Sequence, residues 1–194
     1  MNKMTHKIYR VGVIGHRKLS GEEEYSYVHL CCHKILAGIK NKYPEVIAIS
    51  AISEGADSIF AKSALSLDIK LESIIPYSKF KLDFQTDVNY ETYRAIREKS
   101  KYETKINFSK KSNLAYKKSM EWLVFKSNTI IAIWDGVEAG STGGTWESVL
   151  LCKKLKKPMI HINCLTNKIS VYVNRGNSYS EHMDLSAQNI IRYI

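Results

Sequence analysis

The amino-acid sequence predicts an α/β fold, a doubly wound and mostly parallel sheet with helices on both faces, and three observations carry that expectation. Apolar runs at 8–14, 46–52 and 129–134 are short and rich in Ile and Val, as strands buried on both faces are. Stretches long enough for a helix separate them, so the order of elements is repeatedly β then α. All three runs end in glycine and polar groups: Gly15-His16-Arg17, Ser53-Glu54-Gly55-Ala56-Asp57, and Asp135-Gly136 with a glycine-rich loop behind it. In an open parallel sheet the carboxyl ends share one edge, and ligands bind in the crevice outside that edge.

In chain order, a strand over about 7–14 is followed by a helix from Glu22 to Tyr43, with a rough apolar stripe through Val28, Cys32, Ile35, Leu36 and Ile39. Pro44 stops it. A second strand at 46–51 leads to a helix over 56–67 in which Ile59, Phe60, Ala64 and Leu67 can pack, and a third strand, Leu71 to Ile75, ends at Pro76-Tyr77. Residues 78–111 read as a lysine-rich insert of loop plus a helix near 89–101. A helix at 113–126, the central strand at 128–134 and a helix at 144–156 follow, and Pro158 opens a strand through Ile162. The extension at 163–194 is polar, with a short edge strand at Val171-Tyr172-Val173 and a closing helix from Leu185 to Tyr193. No linker or repeat divides the chain, so residues 1–194 are expected to form one domain.

Composition narrows the function classes. No apolar stretch approaches the ~20 residues needed to cross a bilayer. Met1 to Arg10 lacks the apolar core of a signal peptide, so a cytoplasmic protein without a membrane partner is expected. Cys31, Cys32, Cys152 and Cys164 form no CxxC pair, and reduced thiols are expected. His29, Cys32 and His33 share one helical turn, but no carboxylate completes a ligand set, so neither a metal nor a cofactor is expected.

The formal net charge is +10, concentrated in lysines 99, 101, 105, 110, 111, 117, 118 and 126 and in lysines 153, 154, 156 and 157. Such a balance suits an anionic partner, a nucleotide or single-stranded nucleic acid, and equally suits a merely soluble helix surface. Arginine is nearly absent from these patches, which argues against bidentate phosphate or base contacts there. Arg17 is the exception, directly after a strand end.

The stretch Ser141-Thr142-Gly143-Gly144-Thr145 opens a helix after the central strand, where glycines allow close backbone approach and the free N–H groups and dipole favour an anion. A plain helix start with Thr145 as N-cap is the alternative. Gly15 would let a ligand come close, with His16 and Arg17 on its phosphate or ribose, unless His16 caps a helix and Arg17 pairs with an acid. Ser53, Glu54 and Gly55 form a turn that could read ribose hydroxyls through Glu54, whereas Asp57 better suits a structural role at a helix N-terminus. Asp135 and Glu147 flank the glycine-rich loop and could serve as the carboxylate pair of a glycoside cleavage, or simply stabilise loop and helix. Trp146 is a candidate to stack on a base, and Trp134 reads as core. Walker, GxGxxG, GxSxG and HExxH patterns are missing, which argues against ATP hydrolysis, NAD-dependent dehydrogenation, serine hydrolysis and zinc proteolysis.

Taken in order, Val11-Gly12-Val13-Ile14-Gly15-His16-Arg17, Ser53-Glu54-Gly55-Ala56-Asp57, Ile75-Pro76, Ile133-Trp134-Asp135-Gly136, Gly143-Gly144-Thr145 and Lys157-Pro158-Met159-Ile160 resemble the SLOG superfamily of Rossmann-like domains. That group includes the LOG phosphoribohydrolases, DNA-processing protein A and the sensor domains of antiphage effectors such as Thoeris. The resemblance covers about residues 7–162 and implies a nucleotide-type ligand across the carboxyl edge of the sheet. For a sensor it implies a signal like ADP-ribose or a cyclic nucleotide, a separate effector or signal-producing protein, homo-oligomerisation, and a role in bacterial defence or stress signalling. It also implies two alternatives, a nucleotide N-glycosidase of the LOG kind and a single-strand DNA binder like DNA-processing protein A. The LOG pattern is Pro-Gly-Gly-x-Gly-Thr-x-x-Glu. Here the proline is missing, Glu147 arrives one position early, about 100° around a helix, and Ser148 holds the family position, which counts against hydrolysis.

Overall fold

A computed structural model describes residues 8–138, 144–175, 178–182, 186, 187 and 189–194. In chain order its elements are β1 (Tyr9–Gly15), α1 (Glu22–Lys42), β2 (Val46–Ser50), α2 (Ala56–Ser66), β3 (Lys70–Ile75), α3 (Asp87–Lys99), β4 (Tyr102–Lys105), α4 (Asn113–Lys126), β5 (Thr129–Trp134), α5 (Thr145–Lys154), β6 (Met159–Asn163), β7 (Lys168–Arg175) and β8 (Ser178–His182). These strands form one sheet in the order β4-β3-β2-β1-β5-β6-β7-β8. β1 to β6 pair in parallel, and β7 and β8 add an antiparallel hairpin at one edge.

From β1 the chain winds outward through β2, β3 and β4, then returns to lay β5 on the other side of β1. Because parallel crossovers are right-handed, that reversal sends the helices to opposite faces. α1, α2 and α3 adjoin one another on one face, and α4 and α5 on the other. The sheet residues divide accordingly: Ile131 and Ile133 join the cluster of α1 and α2 with Ile35, Leu36, Ile59 and Phe60, while Ile130 and Ala132 join Leu123, Val124 and Val149 of α4 and α5. Alternating residues of one strand thus serve two cores, which is why β5 is buried throughout and apolar after Thr129. The doubly wound, mostly parallel α/β sheet expected from the sequence is the observed fold.

Two segments differ from expectation. The stretch 78–111 contains a 3₁₀ turn at Phe80–Asp83 and a strand, β4, which extends the sheet beside β3 where only loop and helix were expected. β4 reads Tyr-Glu-Thr-Lys, mostly exposed, so it has neither apolar run nor alternation. In the C-terminal extension the edge strand is a full hairpin, β7 with β8, and the described residues of the expected closing helix form a 3₁₀ turn at Ile190–Arg192. The remainder of that stretch, 185 and 188, lies outside the described residues. Among the described residues no helix is long and apolar enough to cross a membrane.

Candidate functional site

The reversal between β1 and β5 leaves a crevice at their carboxyl ends, as a topological switch point does. A cavity of about 470 Å³ occupies it. Its wall is built from the segment after β1 (Gly15, His16, Arg17), the β2–α2 connection (Ser53, with Asp57 of α2), the approach to α4 (Lys111, Tyr116), and the start of α5 (Gly144, Thr145, Trp146).

Backbone contacts hold these segments together. The His16 N–H donates to Ile133 O at 3.0 Å, and the Ala56 N–H donates to His16 O at 3.0 Å. Gly55 has φ +77°, and a Cβ there would stand 2.3 Å from Arg17 O and 2.5 Å from His16 O, so the residue is glycine because two loops touch. A Cβ on Gly15 would stand 2.5 Å from Ala56 Cβ and 2.6 Å from Ile133 O. That space is filled by protein, so packing alone explains this glycine.

Arg17 lines the cavity and pairs with an acid that the sequence reading missed. Its Nη2 lies 3.1 Å from Asp83 Oδ2, and its guanidinium sits 5.2 Å from the centre of the Tyr116 ring. Asp83, with a side chain only 3% exposed, also takes Lys111 Nζ at 2.5 Å and a hydrogen bond from the Tyr116 hydroxyl. Burial alone would raise the Asp83 pKa, but bonds from Lys111, Tyr116 and Tyr77 and the charge of Arg17 overcome it and hold it at about 2. One buried carboxylate therefore fixes two cavity-lining cations. The only hint in the sequence was an isolated acid among lysines and aromatics at 77–84.

His16 Nε2 lies 3.2 Å from Asp135 Oδ1 and also accepts the Asp135 N–H at 3.3 Å. These contacts belong to different protonation states, because the first needs a proton on Nε2 and the second its lone pair. Asp135 also accepts the Val137 N–H at 2.9 Å; burial pushes its pKa up, and that bond together with His16 brings it below the ordinary value. Asp135 braces the turn and is not itself on the cavity wall, which its partners His16 and Val137 line.

The remaining candidates divide. Ser53, Gly144 and Thr145 line the cavity, whereas Glu54 accepts Asn89 Nδ2 at 2.6 Å and Glu147 pairs with Lys117 at 2.5 Å, neither being on the cavity wall. Thr145 is the first residue of α5; Gly144 is its N-cap and supplies no side-chain bond, which leaves the backbone donors of this end to other partners. Ser141, Thr142 and Gly143 lie outside the described residues. Trp146 lines the cavity but also stacks on Trp134 at 5.4 Å between centroids, with Lys153 Nζ 5.6 Å from its ring. Asp57, expected to be structural, accepts the Ser53 N–H at 3.3 Å and lines the cavity as well.

Fold and crevice together define an open α/β protein with a cavity at its switch point. Among solved structures, the chain is similar to DNA processing protein A from Streptococcus pneumoniae, with a TM-score of 0.58 and 14% identity over 79% of this chain and 50% of that one. It is similar to DNA processing protein A from Helicobacter pylori, described for its single-stranded DNA binding mode, with a TM-score of 0.58 and 19% identity over 95% of this chain and 79% of that one. The molybdenum cofactor carrier protein from Chlamydomonas reinhardtii gives 0.50 and 16% identity over 81% and 77%. The chain thus spans only half the length of the Streptococcus protein. What is shared at these identities is the fold, the Rossmann-like sheet that the SLOG resemblance implied. No family model matches the chain, and no curated protein does.

Proposed function

We propose that this chain binds a nucleotide-derived small molecule of the ADP-ribose or cyclic-nucleotide kind in the switch-point cavity, and that it acts as a sensor. The observation that carries the reading is the convergence of Arg17 and Lys111 on the cavity whose wall also includes Gly144 and Thr145 at the N-terminus of α5. Two cations and the positive end of a helix dipole suit phosphate. A volume of about 470 Å³ lies within the usual span of small-molecule sites. Asp135 and Glu147, the carboxylates that a glycosidase would need, are engaged with His16 and Lys117 and are off the cavity wall, so binding without turnover is favoured.

The SLOG resemblance supports a setting in bacterial defence or stress signalling, with the output read by a separate effector or by homo-oligomerisation. Native mass spectrometry after incubation with mononucleotides, NAD, ADP-ribose and cyclic ADP-ribose isomers tests the reading. A ligand retained intact is expected, while release of free base and ribose phosphate would replace the sensor with an enzyme.

A second reading, single-stranded DNA binding, is favoured by the net charge of +10 and by the likeness to a protein described for that activity. It predicts affinity that falls steeply with salt, because each neutralised phosphate releases counterions.

A further inference from the structure

Asp57 is a buried ionisable group of the cavity wall that the proposed function does not use. It stands in the first turn of α2, 8% exposed, and lines the cavity. Its Oδ2 accepts one long bond from the Ser53 N–H at 3.3 Å. The Ser53 side chain is a second hydrogen-bond partner of the same carboxyl group. Arg17, the charged group that acts on it, is bonded to Asp83 instead, so Asp57 feels its attraction without a bond. The other titratable groups on the wall are His16 from the segment after β1, and Lys111 and Tyr116 from the approach to α4. A carboxylate in that place would repel a phosphate, whereas a carboxylic acid would donate a hydrogen bond to it.

We propose that Asp57 is a ligand-contacting residue that meets an anionic ligand in its protonated form, donating a hydrogen bond from its carboxyl group on the cavity wall, so that the cavity takes up the anion together with a proton. This rests on the reading of the cavity as a nucleotide site and deepens it. Burial, opposed by Arg17 and the Ser53 bonds, lifts the Asp57 pKa to about 7, which makes the proton available at neutral pH. The specificity that follows is for an acceptor-rich group such as a phosphate oxygen, and against a cationic or donor-only group at the same position.

The test is the affinity for ADP-ribose, whose linked phosphates do not titrate in this range, at pH 6.0 and pH 8.5 in the wild type and in Asp57→Asn. With a pKa of about 7 and binding restricted to the acid form, affinity should fall about 30-fold between the two values. Asp57→Asn, whose amide donates as the acid would, should bind equally at both and near the wild-type level at pH 6.0. Titration of the wild type at pH 8.5 in two buffers of different ionisation enthalpy should show close to one proton taken up per ligand, and this needs no variant. A slope that survives in Asp57→Asn assigns the proton to another group and overturns the proposal, as does binding to the wild type without slope or proton uptake. Absence of binding at both pH values overturns the nucleotide reading itself, and this one with it.

Discussion

Arg17 stands between two buried carboxyl groups, and their different fates show how position sets charge. Asp83 takes the hydrogen bonds and stays ionised, held at about 2; Asp57 receives only attraction and sits at about 7. Asp83→Asn should leave Arg17 and Lys111 without their shared partner and cost about 2–3 kcal/mol in urea unfolding, less than a fully buried pair because both cations are partly exposed. Since its folded pKa lies below the unfolded value, this contribution is complete above the ordinary carboxylate range and is lost as pH falls towards 2, so the deficit should shrink in acid. Asp57 has the opposite sign. Its folded pKa is raised, so its contribution is present at low pH and is lost as pH rises through about 7. The loss begins at the ordinary value of 3.8, so Asp57→Asn should melt higher than the wild type at pH 8.5 and nearly the same only at pH 3, as differential scanning calorimetry would show.

At the scale of elements, the loops after β1 and β2 act as one unit, because Gly55 lets their backbones touch. Gly55→Ala would place a Cβ 2.3 Å from a carbonyl oxygen at φ +77°, and should cost about 1–3 kcal/mol while weakening ligand binding through displaced His16 and Arg17. Thermal melts beside binding isotherms would separate the two effects. The same scale shows where sequence reading stops. Strands buried on both faces, such as Thr129–Trp134, announce themselves as apolar runs. Edge strands do not: Tyr102–Lys105 is mostly exposed and patterned like a loop, and its place is set by backbone pairing with β3 rather than by side chains. The hairpin partner Ser178–His182 is polar for the same reason.

Across the whole molecule, the winding order decides what meets at the crevice. That Gly15-His16-Arg17, Ser53 and Gly144-Thr145 would meet at one crevice was legible because parallel strands deliver their carboxyl ends to one edge, and these residues line one cavity. Glu54 shared that motif yet bonds to Asn89 of α3, because one residue along a turn redirects a side chain. Asp83, Lys111 and Tyr116 were not legible, since they arrive on the crossover between β3 and β5 and only packing shows that it closes over the switch point. If the cavity is a site of directed bonds, raising salt from 50 to 200 mM should weaken nucleotide binding only modestly, whereas single-stranded DNA on the lysine patches would lose orders of magnitude.

Isothermal titration with whichever nucleotide native mass spectrometry finds retained, comparing the wild type with Arg17→Gln, tests the central claim most directly. Loss of one charge-assisted contact to phosphate should weaken binding about 10- to 100-fold while the protein stays folded. Equal affinity in the two proteins would contradict the assignment of the ligand to this cavity.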